Sequence, residues 1–183
     1  MNLNLIEKIS GVLKLEPKIY RSLESEKNNL KTSFVLILFI SLVTSLIYKS
    51  YFFINLNIRI PIIFLIGVWV FLNWYFLSNI IYIFATKIFS EKNTPKIKCY
   101  SVIAFSYLPE LLKVLIFVSP KFILVTSWGS FIWVIACQVI GLREIYKFKS
   151  LWKTLFVIII SYIVQIFSVI IFISIIFLIF QTN

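Results

Sequence analysis

The chain is written in long apolar runs that do not alternate, parted by short polar and basic segments. Crossing a hydrocarbon core of about 30 Å takes about 20 helical residues. Five stretches meet that length: residues 32–54, 60–84, 99–118, 122–139 and 151–180. The first reaches its full extent if Lys49 snorkels outward, and Pro61 is tolerated in the first turn of the second. Pro109 interrupts the third. The last is longer than a crossing requires, so it must tilt or protrude. A transmembrane β-barrel would need segments of about ten residues with alternating polarity, and Phe156-Val157-Ile158-Ile159-Ile160 does not alternate. The pattern predicts an all-α membrane protein of five transmembrane helices.

A different pattern precedes them. Leu5, Ile6, Ile9, Val12 and Leu13 share one helical face, with Glu7, Lys8, Ser10 and Lys14 opposite. Asn4 and Glu7 have the spacing of a capping box, and Pro17 can open a second short helix carrying Ile19, Tyr20 and Leu23. Short amphipathic helices of this kind lie at the membrane interface, basic side chains toward the headgroups. The alternatives are an anchor packed against the bundle and a helix that binds a partner. No uninterrupted apolar core of a signal peptide occurs before Phe34. The expected organisation is a cytoplasmic amphipathic segment, residues 1–31, followed by a membrane domain, residues 32–183.

Composition agrees: 61% of the residues are apolar and the mean hydropathy is +1.00, well above the ordinary soluble range. The abundance of Phe, Ile, Lys and Asn fits an AT-rich genome, as in a reduced bacterium or an organelle. The net charge of +11 is a statement about topology. Lys8, Lys14, Lys18, Arg21, Lys27 and Lys31 precede the first span; Lys87, Lys92, Lys96 and Lys98 cluster between the second and third. Arg143, Lys147, Lys149 and Lys153 lie between the fourth and fifth, leaving only Lys49, Arg59, Lys113 and Lys121 elsewhere. The positive-inside rule therefore puts the N-terminus in the cytoplasm and the C-terminus on the other side. The membrane is expected to be a bacterial cytoplasmic membrane or an organellar one. Anionic lipid headgroups and other membrane proteins are the expected partners. Nucleic acid is not, because no folded aqueous domain offers a basic face.

Chemistry is scarce. The absence of His and Asp removes most metal sites and His-based acid–base catalysis. Four glycines build no phosphate loop, and Cys99 and Cys137 lack metal-ligand spacing. Neither an enzyme nor a cofactor is expected. The exception is a set of polar residues at membrane depth. Glu110 lies about 16 Å beyond Cys99 at 1.5 Å per residue, Lys113 is one turn further on, and Asn73 and Gln165 are also near mid-span. Ionisable groups at that depth are functional candidates, while Asn and Gln commonly serve as interhelical hydrogen-bond glue. Two readings follow: a structural bundle, or a small transporter or channel using Glu110, Asn73 and Gln165.

The chain also resembles the Yip1 domain family, as a bacterial-type member. Residues Leu5 to Pro17 are similar to the family's amphipathic opening, which ends in an acidic-Pro pair. Ala104-Phe105-Ser106-Tyr107-Leu108-Pro109 resembles its small-aromatic-Pro segment. Trp133, Ile140-Gly141-Leu142-Arg143-Glu144 and Trp152-Lys153-Thr154-Leu155 are similar to its fourth-span Trp, its exit from that span and the start of its last span. The family position after the Pro is usually uncharged, so Glu110 and Lys113 inherit no role from it. Eukaryotic members act in membrane traffic and contact prenylated Rab-type GTPases, but nothing in this chain carries a Rab partner over. The resemblance implies a non-enzymatic membrane scaffold or adaptor, or else a structural subunit of a larger membrane complex.

Overall fold

The computed structural model describes residues 4–25, 29–52, 60–89 and 94–181, and every regular element among them is helical. Two short helices, α1 (Leu5–Leu13) and α2 (Pro17–Ser25), precede α3 (Asn29–Phe52) and α4 (Ile60–Ile83). A π-helical turn, Phe84–Ile88, ends α4. Then come α5 (Lys96–Ser106), a 3₁₀ run (Leu108–Val114), α6 (Leu115–Val118), a 3₁₀ turn (Pro120–Phe122), α7 (Ile123–Tyr146) and α8 (Leu151–Gln181). Among the described residues, four stretches are long and apolar enough to cross a bilayer: Asn29–Ile47, Phe64–Ile88, Lys96–Val118 and Pro120–Tyr146. A shorter apolar stretch, Leu151–Phe167, begins α8, whose 31 residues would extend about 46 Å. Residues 53 and 54 of the expected first span, the basic residues Lys27, Arg59 and Lys92, and the tail residues Thr182 and Asn183 lie outside the described residues.

The bundle is built around α5, which packs on α3, α4 and α7. Its residues Ser101 to Ser106 are all buried. Pro109 then stops it, because the proline ring supplies no N–H and clashes with the preceding turn. The backbone tightens to i→i−3 bonds: Tyr107 N–H donates to Ala104 O at 3.2 Å and Glu110 N–H to Tyr107 O at 2.9 Å. Beyond this point the chain packs mainly on α7 and α3 instead of α4. Serines and threonines along the spans satisfy themselves on their own helix. Ser45 Oγ, Ser106 Oγ and Ser161 Oγ each donate to the carbonyl four residues back, at 2.6–2.7 Å. Large apolar side chains such as Phe64, Leu124, Val125 and Trp128 face outward, as a lipid-facing surface requires.

The N-terminal helices form a hairpin that wedges against this bundle. The Asn4 N–H donates to the Glu7 carboxylate at 2.9 Å, opening α1. A Schellman turn closes it: Glu16 N–H reaches Gly11 O at 2.9 Å and Leu15 N–H reaches Val12 O at 3.0 Å. Leu15 takes the left-handed position with φ 61°, and Pro17 starts α2 immediately afterwards. The helices can close because Gly11 has no side chain; a Cβ there would lie 2.2 Å from Ile19 Cγ1. Val12 and Tyr20 are fully buried, Ile9 and Leu13 pack on the core, and Leu5 and Ile6 are exposed. The amphipathic face is thus divided, its C-terminal part against the bundle and its N-terminal part free for other surfaces.

Gly141 on α7 is the seat of the hairpin. A Cβ at Gly141 would stand 2.5 Å from Val102 Cγ1 and 2.8 Å from Tyr20 Cδ1, so three helices meet at its bare backbone. Gly141→Ala should therefore cost about 1–3 kcal/mol through overpacking. It should also release the hairpin from Cys137, whose thiol lies beneath Val12 and Tyr20. Maleimide labelling of Cys137 is expected to accelerate at least tenfold while Cys99 keeps its parental rate. Equal acceleration at both thiols would mean general loosening of the bundle.

Candidate functional site

The structure gathers the intramembrane polar residues into two joined pairs. The first pair comes from α4 and α8. Gln165 Nε2 donates to Asn73 Oδ1 at 2.6 Å and also to the Asn73 carbonyl at 3.1 Å. One amide thus ties two spans through both the side chain and the backbone of its partner. The second pair lies on the 3₁₀ run, where a three-residue repeat stacks positions i and i+3 along one edge. There Lys113 Nζ donates to Glu110 Oε2 in an ion pair whose side chains are 13% and 15% exposed. Ser130 Oγ of α7 shares its proton between Glu110 Oε1 at 3.3 Å and the Ser127 carbonyl of its own helix at 3.2 Å, which brings the carboxylate against the neighbouring helix. Next to them Gln138 Nε2 donates to the Tyr162 hydroxyl at 3.1 Å.

A cavity of about 450 Å³ opens between these pairs. Asn73, Glu110 and Lys113 reach it, together with Tyr107, Tyr162 and Thr44; its remaining walls are Ile40, Ile66, Trp69, Val70, Phe131 and Val134. It is bordered by α3, α4, the 3₁₀ run, α7 and α8. Gln165 anchors Asn73 from behind and is not part of the wall. The sequence did not single out Ser130, Tyr107, Tyr162 or Gln138. Tyr107 was visible in the aromatic-Pro segment, whereas Ser130, Tyr162 and Gln138 carry no local signal and are found only by packing.

A second polar arrangement joins the hairpin to the end of α7. Arg21 Nε donates to Glu144 Oε2 at 2.6 Å, and Lys147 Nζ reaches the same oxygen at 3.2 Å. The Arg21 guanidinium is held further into its charged range by the Glu144 bond. Burial pushes the Tyr20 hydroxyl well above the usual phenol range, with Cys137 adding to the shift. Lys8, buried to 6% exposure, donates to Asn29 Oδ1 at 3.2 Å, and Asn29 Nδ2 donates in turn to Leu23 O at 2.7 Å. The five apolar positions of α1 do not join the polar cavity. Among the described residues, both cysteines are free and buried, and no three His, Cys, Asp or Glu side chains group in a way that could hold a metal ion.

Membrane-length helices around a broken central helix define a multi-pass membrane protein. A family model for the Yip1 domain matches residues 11–179, and the chain belongs to that family. No curated protein and no solved structure matches it.

The ion pair gives a stability test. Lys113→Met leaves the Glu110 carboxylate without its cation in a low-dielectric bundle, and breaking a buried pair from one side costs about 3–5 kcal/mol. Adding Glu110→Gln to that variant should recover most of the loss. A double-mutant cycle in detergent or bicelles, read by unfolding midpoint, checks both steps. Additive losses would show that the two side chains are energetically independent.

Proposed function

We propose that the protein is a non-enzymatic membrane scaffold or adaptor, with residues 1–31, 87–98 and 143–153 on the cytoplasmic side. The observation that carries this reading is the docked hairpin. Arg21 on Glu144 and Tyr20 on Gly141 fix α1 and α2 at the end of the bundle that holds the basic loops. Lys14, Lys18, Arg143, Lys147 and Lys149 are exposed around it. A rigid, basic platform of this kind suits anionic headgroups and the acidic surfaces of other membrane proteins. The exposed Leu5 and Ile6 add an apolar edge that can enter the interface.

A second reading rests on the cavity. An ion pair beside an amide at membrane depth also fits a small transporter or channel, and there Glu110 would contribute to the solute path. A structural subunit of a larger complex shares the features of the scaffold and differs in binding its partners at fixed stoichiometry.

Three measurements test these readings. In intact cells, a Cys placed at Asn183 should label with an impermeant maleimide and one placed at Asn93 should not; the reverse pattern would overturn the orientation. Cross-linking with quantitative mass spectrometry should then recover a set of membrane proteins in variable ratio to the parent. Recovery should fall at least tenfold when Lys14, Lys18, Lys147 and Lys149 are all changed to Glu. An unchanged set would remove the platform from the account, and a constant ratio would favour the structural subunit. Solute flux in liposomes that Glu110→Gln abolishes would put the transporter in the scaffold's place.

A further inference from the structure

We propose that the central cavity binds one uncharged, carbonyl-bearing amphiphile drawn from the membrane. A scaffold has no need of such a site, and binding requires no transport, so the proposal stands apart from both functional readings. Three features of the cavity define the ligand.

The first is its hydrogen-bonding sense. An ammonium group carries three donors, and among the described residues Lys113 gives one of them to Glu110. Asn73 uses its carbonyl oxygen as the acceptor for Gln165, so its own NH₂ group is left as a donor. The Tyr162 oxygen accepts from Gln138, and Tyr162 and Tyr107 are hydrogen-bonded to each other, which leaves one of the two phenol protons to donate. The wall therefore offers donors in excess, and a ligand with acceptor oxygens complements it.

The second is charge. Glu110 and Lys113 are the two charged groups in the lining, and they offset one another. A ligand with net charge would leave that charge uncompensated in a low-dielectric site. Carbonyl or ester oxygens meet the donors without that cost. Carboxylates and amines do not.

The third is shape and access. The volume of about 450 Å³ falls within the range of small-ligand sites, and the walls away from the polar residues are aliphatic and aromatic. Trp69 and Phe131 line the cavity yet are 41% and 42% exposed, on helix faces that look outward at membrane depth. A ligand dissolved in the bilayer reaches the cavity sideways past them. Glyceride lipids and quinones share the required chemistry, an uncharged carbonyl head on an apolar body.

The test uses the full-length chain and four probes with the same ten-carbon tail: monodecanoyl glycerol, a decyl-substituted benzoquinone, decanoate and decylammonium. Native mass spectrometry across a concentration series reads the number of copies bound and the midpoint. One of the two uncharged probes should bind at one copy per chain, at least tenfold more tightly than either charged probe; which one binds identifies the source. Val70→Trp, which fills the apolar wall and leaves the ion pair alone, should weaken that binding at least tenfold.

Charge selection provides a readout that does not depend on packing. Glu110→Gln leaves Lys113 unmatched and should shift preference to decanoate, whereas Lys113→Gln should shift it to decylammonium. Tighter binding of a charged probe by the parent, or preferences unmoved by both substitutions, would overturn the proposal. So would the lack of saturable binding at one copy per chain.

Discussion

Inside hydrocarbon a backbone N–H or C=O has no water to turn to, so a helix can break only where the protein itself takes up the freed groups. Pro109 imposes such a break on the central helix. The 3₁₀ run that follows satisfies the chain locally, and its tighter repeat brings Glu110 and Lys113 onto one edge. The same change of direction moves the chain away from α4 and toward α3 and α7. The ion pair on that edge faces the cavity, and Ser130 of α7 reaches its carboxylate. In the other half of the bundle an uninterrupted α5 fills the centre, with every residue from Ser101 to Ser106 buried.

The two ends of the molecule consequently solve different problems. Around Gly141 three helices approach until only a glycine fits, with the Tyr20 hydroxyl buried among them and Arg21 meeting Glu144 at the rim. Around Asn73 and Glu110 the helices stand apart, and polar side chains hold them in place by specific bonds. Interhelical hydrogen bonds within membranes are individually modest, roughly 0.6 kcal/mol on average. Their value here is geometric. The double contact of Gln165 with Asn73 fixes the relative rotation of α4 and α8, and so fixes which donors of Asn73 point inward.

Much of this architecture was legible in the sequence because length and hydropathy are strong constraints in a bilayer. The five apolar runs, the amphipathic opening and the interruption at Pro109 follow from periodicity and from proline's missing donor. Helix ends were less legible. Hydropathy ends the fourth span near Val139, yet α7 runs on to Tyr146, because Arg143 and Glu144 are good helix residues that leave the membrane without leaving the helix. The Glu110 and Lys113 spacing suggested a pair on one face, and the pair forms, though on a 3₁₀ repeat. The seat at Gly141 could not be read, since a lone glycine in an apolar run has many explanations. Its pairing with Tyr20 is a long-range packing fact, as are the roles of Ser130, Tyr162 and Gln138.

The docked hairpin also sets an order of assembly. Val12 meets Cys137 and Arg21 meets Glu144, contacts that join the start of the chain to its fourth span across 125 and 123 residues. During synthesis the hairpin is made before α7, and its seat is incomplete until α7 has been inserted. In that interval the hairpin has α5 and the 3₁₀ run to pack on, and the parts of Val12 and Tyr20 that α7 covers stay exposed, a hazard during folding. The hairpin can therefore settle only after α7 is in place, and its docking marks the moment at which α5 and α7 have come together.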